Sequence, residues 1–361
     1  MLEFIKEEKS VWERLSSTKQ PIVLYGMGNG ADKIVDWCEA NSVKISGIFA
    51  SDEFVRGQIF RGIKVEKYAD IIERLGHDIL VVIAFASERP EVLARFRELA
   101  AEHDVIAPHL PLFKEAELVS KAWLERYSDE LQQVYNNLAD DLSRQVFADT
   151  LNYKLSGKIS YLFACETQRH EDLQSIFSFT DKENYLDLGA YNGDTVLEFL
   201  QLVDNKCSSI VAVEPDRRNC RKLRALKDEL SLGNSFVVNE AGVWKKKTVL
   251  SFSDSGGRQS TFIDASKAEV NVDTIDDFSE GRAISYIKMD VEGAEQQALE
   301  GGRETICKYQ PKLFVAAYHY DADLFQLPLV IWTLVPEYKI YLRKHPYIPA
   351  WELNFLCVKE G

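Results

Sequence analysis

Residues 183–195 read Glu183-Asn184-Tyr185-Leu186-Asp187-Leu188-Gly189-Ala190-Tyr191-Asn192-Gly193-Asp194-Thr195. A short apolar run closes on an acid, a glycine turn follows, and the apolar spacing from Thr195 to Leu200 suits a helix. Strand, glycine turn and helix open a nucleotide-binding α/β unit. Glycines let a ligand approach the backbone, and a helix start presents unpaired N–H groups. Two later stretches add to this pattern: Val211-Ala212-Val213-Glu214-Pro215-Asp216 and Ile287-Lys288-Met289-Asp290-Val291-Glu292-Gly293-Ala294-Glu295.

Outward from the turn, strands are expected at Tyr185–Leu188, Ser209–Val213, Ser235–Asn239, Ile284–Met289 and Lys312–Ala317. Helices fit between most of them, at Thr195–Val203, Arg217–Leu230, Ala294–Cys307 and Ala322–Val335. Short alternating segments between Trp244 and Val272 suggest an antiparallel insertion carrying the glycine loop Ser255–Ser260. Two last strands, Tyr338–Leu342 and Glu352–Val358, are expected to pair as a hairpin.

Toward the start, residues 1–18 suggest an amphipathic helix with Leu2, Phe4, Ile5, Val11, Trp12 and Leu15 on its apolar face. Strands at Pro21–Tyr25, Val43–Ala50, Ile79–Phe85 and Asp104–Pro108 alternate with helices and form a second, smaller parallel-sheet unit. Gly26, Gly28 and Gly30 with Asp52 imitate a dinucleotide fingerprint, but the spacing is GxGxG and Asp52 falls late. A tight strand-to-helix turn without a ligand is the simpler reading there. The segment 111–180 is rich in Leu, Ala, Glu and Gln and predicts two or three connecting helices. The expected organisation is therefore 1–110 as a small Rossmann-like domain, 111–180 as a helical connector and 181–361 as the principal α/β domain.

The net charge of −14 argues against an extended phosphate-binding surface, and so against nucleic acid. No apolar run reaches a membrane span, and the mixed charges of Met1–Glu8 do not resemble a secretory leader. Six scattered cysteines without a CxxC pair fit reduced thiols, so a cytoplasmic protein is expected.

A doubly wound sheet binds its ligand at the carboxyl ends of its strands. Asp187, Glu214, Asp290 and His319 stand there. An acid in the place of Glu214 can accept both ribose hydroxyls of a nucleoside. The turn 189–193 has no Walker lysine, which excludes a triphosphate, and Asp187 beside it repels pyrophosphate but suits a cationic group. S-adenosylmethionine joins a ribose, an ammonium and a sulfonium without a phosphate.

The stretches Asp187–Thr195, Val213-Glu214-Pro215 and Ile287–Glu295 resemble the FkbM-type S-adenosylmethionine-dependent methyltransferases. Val272–Phe278 and Tyr318-His319 share the resemblance, which covers residues 181–360. Tyr191 departs from it, since many members have asparagine there. The resemblance implies a class-I methyltransferase fold of seven strands with the last antiparallel. It also implies methyl transfer to a hydroxyl of a carbohydrate or natural product. By position, Asp187, Gly189, Ala190, Tyr191, Asn192, Gly193, Asp194 and Glu214 would hold the cofactor. Gly242 and Val243 would lie near the adenine, and Asp290 beside the methyl group.

Methyl transfer gains from positioning and from a base near the acceptor hydroxyl. Asp290, Glu295 and His319 are the candidates, with helix capping as an equal alternative for Glu295 and a local hydrogen bond for His319. Lys288 is expected to pair with a carboxylate inside the strand. No metal is expected, although Asp290, Glu292 and His319 carry suitable ligand atoms. Arg343, His345 and Trp351 either line an acceptor pocket or form an exposed turn. The expected partner is a small-molecule or glycan acceptor, with no nucleic acid or membrane and with self-association left open. Two rival readings remain. One is an NAD-dependent nucleotide-sugar oxidoreductase or epimerase working through the first glycine loop, which lacks a YxxxK-type pair. The other is a non-catalytic protein that binds a sugar nucleotide or a partner. The first domain, with no catalytic pair of its own, is expected to serve recognition or assembly.

Overall fold

The computed structural model describes residues 2–113, 116–253 and 267–359. The chain divides into two compact units: 1–135, 141–167 and 344–352 form the first, and 136–140, 168–343 and 353–361 the second.

The first unit is built on six strands, β1 (Ile22–Tyr25), β2 (Ile45–Ala50), β3 (Ile59–Phe60), β4 (Ile63–Lys67), β5 (Leu80–Ile83) and β6 (Asp104–Ile106), in the order β3-β4-β2-β1-β5-β6. All neighbours run parallel except β3 and β4. Helices Asn29–Ala40, Tyr68–Leu75 and Pro90–Glu102 make the crossovers. β1 and β5 are buried along their whole length, because apolar side chains are covered on both faces of a parallel sheet. The hairpin β3–β4 has no counterpart in the expected strands. It turns at Arg61 and Gly62, whose φ values of 51° and 78° suit a tight two-residue loop.

The expected first helix is shorter than its apolar pattern. It runs Val11–Ser17, with Ser10 and Glu13 closing a reciprocal capping box at its start. Leu2 and Phe4 are buried without helix, and Asn152 instead binds the backbone of this stretch at Phe4 O, Lys6 N and Glu7 N.

The second unit carries β7 (Asn184–Leu188), β8 (Ser209–Glu214), β9 (Phe236–Glu240), β10 (Gly242–Val243), β11 (Thr248–Ser253), β12 (Lys267–Asp273), β13 (Tyr286–Met289), β14 (Lys312–Ala316), β15 (Lys339–Lys344) and β16 (Leu353–Val358). Seven of them form one sheet in the order β15-β16-β14-β13-β7-β8-β9. β13, β7 and β8 pair parallel, while β16 runs antiparallel to β14. This is the class-I methyltransferase arrangement, and the terminal strands are neighbours as expected. A smaller sheet, β10-β12-β11, holds the antiparallel pair β11–β12 of the insertion. The glycine loop Ser255–Ser260 lies outside the described residues.

Tyr185 stacks on Tyr286 at 4.8 Å, and Phe199 and Phe177 close the same core. The helix expected at Ala294–Cys307 is two helices, Glu295–Glu300 and Arg303–Tyr309. The break falls at Gly301-Gly302. A Cβ on Gly301 would stand 2.4 Å from the Trp244 carbonyl oxygen, and one on Gly302 would stand 2.9 Å from Ile275.

Candidate functional site

The glycine turn is tied to both neighbouring strands. Gly189 and Ala190 donate their N–H groups to Val213 O of β8. A Cβ on Gly189, at φ 79°, would lie 1.9 Å from Asp290 O at the end of β13. Only glycine fits where these strand ends converge. Gly193, at φ 93°, starts helix Asp194–Leu202, whose first N–H groups are taken by Asn192 Oδ1 and Asp194 Oδ1. Tyr191 takes φ 45°, a left-handed conformation that asparagine adopts more readily. Tyr191, Asn192 and Asp194 are exposed around the turn.

Asp187 does not face the mouth. It is fully buried beneath the turn, where Thr195 Oγ1 donates to it at 2.6 Å and Lys288 Nζ lies 3.4 Å away. Lys288 also donates to Gly189 O at 2.7 Å. Burial opposes its charge, but Asp187 and Asp290 hold its pKa above the ordinary lysine value. The pair thus fixes the turn from below. Lys288 has the ion pair its sequence position suggested, and its further bond to the turn links β13 to β7.

Glu214 ends β8 with its carboxylate under the open side of the turn. It accepts from Tyr191 N and Asp216 N, both at 2.9 Å. Burial pushes its pKa up to about 7 despite those two bonds. A carboxylate has about four acceptor positions, so two remain for hydroxyl donors. Gly242 and Val243 are buried in β10, the strand following the Ala241 N–H that binds Glu214 O.

Asp290, Glu292, Glu295 and His319 gather at the ends of β13 and β14. His319 is buried, with Nδ1 3.0 Å from Glu295 and Nε2 3.4 Å from Glu292 and 3.6 Å from Asp290. Burial resists protonation of the imidazole, but the three carboxylates raise its pKa well above the ordinary value. This favours the imidazolium, which is a poor base. Glu295 is buried and accepts from Val291 N at 2.9 Å, so it ties the turn before the helix while it pairs with His319; it does not cap the helix start. Asp290 is different: about a third of its side chain is exposed, and Tyr318 donates its phenol to it at 3.1 Å. Asp290, Glu295 and His319 offer ligand atoms within 4.8 Å of one another, so the cluster has the reach to hold a cation as well.

Arg343 belongs to neither of its expected roles. It is buried and binds Asp140 at 2.6 Å and Asp172 at 3.1 Å. All six cysteines are unpaired. Among the described residues no helix is long and apolar enough to cross a membrane.

Residues 187–349 match the methyltransferase FkbM domain. No curated protein matches the chain. Among solved structures, the methyltransferase FkbM from Methylobacillus flagellatus KT is similar over 98% of this chain and 94% of its own, with 20% identity and a TM-score of 0.75. That likeness is one of fold and extends over both units. The precorrin-6y C5,15-methyltransferase from Geobacter metallireducens GS-15 matches 53% of this chain and 86% of its own, at 12% identity and a TM-score of 0.34. The class-I sheet order and an acid closing the second strand agree with the match of residues 187–349 to the methyltransferase FkbM domain, and this second unit is similar to S-adenosylmethionine-dependent methyltransferases.

Proposed function

We propose that the second unit methylates a hydroxyl of a neutral, polyhydroxylated acceptor, a carbohydrate or a natural product of that character. The partly exposed Asp290 carboxylate beside Tyr318 carries the reading. Bound S-adenosylmethionine supplies the methyl group. The residues present fit it: Glu214 keeps acceptor positions for two ribose hydroxyls, and Gly189, with no room for a side chain, keeps the turn that a nucleoside must approach close to the strand ends.

Asp290 accepts the hydrogen bond of the acceptor hydroxyl, orients its oxygen and takes its proton. Tyr318 fixes the carboxylate. His319 acts through Asp290 as a positioning residue, with Nε2 3.6 Å from that carboxylate and Glu292 and Glu295 on its other contacts. Asp290 and Glu292 at the mouth accept from hydroxyls and repel phosphates, and this favours a neutral acceptor over a nucleic acid.

The test is Asp290→Asn. Turnover of labelled S-adenosylmethionine on a panel of sugars and nucleotide sugars should fall by about 10²–10⁴, the usual contribution of a positioned base. Cofactor affinity, read by calorimetry, should stay within about twofold of wild type, because the variant removes a proton acceptor and no cofactor contact. Unchanged turnover would remove Asp290 from the chemistry. Activity is also expected to survive dialysis against EDTA; its loss, restored by magnesium, would make the Asp290–Glu295–His319 cluster a cation site instead.

A further inference from the structure

The first unit contains a cavity of about 1150 Å³ at the carboxyl ends of β1, β2 and β5. β1 lies between β2 and β5, so successive crossovers leave it in opposite directions. Open parallel sheets take their ligands at such a switch point. The cavity exceeds the usual size of a small-molecule site, roughly 300–1,000 Å³, and has room for a nucleotide with a further group attached.

The lining divides by chemistry. Tyr25 and Phe49 stack at 4.5 Å to make an aromatic wall, with Phe85 edge-on at 5.0 Å from Tyr25. Phe54, half exposed, stands on the rim beside Arg56. Arg56 is exposed and makes no ion pair among the described residues. Asp52, two residues past the end of β2 and 3.6 Å from Lys67 Nζ, also lines the cavity.

The three glycines after β1 have separate tasks. Gly26 turns the chain at φ 106°, with Phe85 at 2.4 Å from any added Cβ. Gly30 lets helix Asn29–Ala40 rest on the end of β5, where a Cβ would meet Ala84 O at 2.4 Å. Gly28, at φ 113°, has nothing within 4 Å of its Cβ position, so its backbone is open to approach. The twelve-residue helix that follows has no side-chain cap. Tight turn, open approach and close helix packing are the tasks that the glycines of a dinucleotide fingerprint divide. The irregular spacing in the sequence therefore hides a regular division of labour.

We propose that this cavity is a second ligand site, for a nucleoside diphosphate group. Its base lies against Tyr25 and Phe49, its ribose reaches Asp52, and its diphosphate takes Arg56 as counter-charge at the Gly26-Met27 side of the lining, next to the Gly28 turn. The group can belong to a dinucleotide or to a nucleotide sugar. The proposal holds whichever hydroxyl the methyltransferase modifies.

Calorimetry on the full chain with ADP, UDP, NAD and UDP-glucose tests it, with S-adenosylhomocysteine as competitor. At least one nucleotide should bind, undisplaced by S-adenosylhomocysteine, and Arg56→Glu should weaken it about tenfold or more, the loss expected when a charge-assisted bond to phosphate is reversed. Because Arg56 is exposed, the variant should retain S-adenosylmethionine binding, which shows that it is folded. Tighter binding of NAD than of ADP identifies a dinucleotide, and tighter binding of UDP-glucose than of UDP a nucleotide sugar; both support the proposal. No binding by any of the four, displacement by S-adenosylhomocysteine, or binding indifferent to Arg56→Glu overturns it.

Discussion

In the proposed function Glu214 would couple cofactor binding to pH. Its carboxyl group is raised by burial to about 7, so the folded protein keeps this proton through a range in which the unfolded chain has lost it. Its contribution to stability is full below the ordinary carboxyl range and declines as pH rises toward 7. Ribose hydroxyls favour the ionised form, so S-adenosylmethionine should bind about tenfold more tightly at pH 8 than at pH 6 and level off above, as a one-unit change in protonation equilibrium allows. Calorimetry across that range should show the slope in wild type and none in Glu214→Gln. The position of Glu214 was legible because a strand-end acid after a glycine turn has few uses. The placement of Asp187 was not: its cation, Lys288, comes from a strand about a hundred residues later, and only the pairing of β7 with β13 brings the two together. The charge on His319 was hidden likewise, since Glu292 and Glu295 enclose it only after the chain turns at Gly293.

At the level of elements, the convergence of β7 and β13 is the most constrained feature. Gly189→Ala should cost about 3 kcal/mol or more, because a left-handed backbone position and a clash with a strand-end carbonyl act together. Urea denaturation would register this as a lower midpoint, and an unchanged midpoint would mean that the strand ends can separate freely. The central strands were readable because apolar runs bounded by glycine or acid leave little choice. The hairpin β3–β4 escaped notice because its strands are short, mix charge with apolar residues and are only partly buried. Gly301-Gly302 interrupts an unbroken apolar period, and the reason for the break is the Trp244 backbone, which no local pattern reveals. Near the start, Ser10 and Glu13 did announce the true helix boundary. The apolar spacing of Leu2, Phe4 and Ile5 outweighed them in the reading, although those side chains serve a packed, non-helical segment.

For the whole molecule, a ligand that binds only the folded state stabilises it by mass action. S-adenosylmethionine at a hundred times its dissociation constant should contribute about 2.7 kcal/mol. In a unit of this size that corresponds to a rise in Tm of several degrees, at about 2–4 °C per kcal/mol. Differential scanning fluorimetry should show the rise in wild type and its loss in Glu214→Ala, whereas an equal rise in both would place the cofactor elsewhere. The division of the chain has another result. The first unit includes residues 344–352, where Ser87 and Ile348 exchange backbone hydrogen bonds. Domains usually fold in turn as they leave the ribosome, the N-terminal one first. Here the sheet of residues 22–106 must wait for Ile348 and Ala350, far along the chain, before the core against it is complete. The nascent chain therefore carries an unfinished N-terminal core until the strands of the second unit up to β15 have been made.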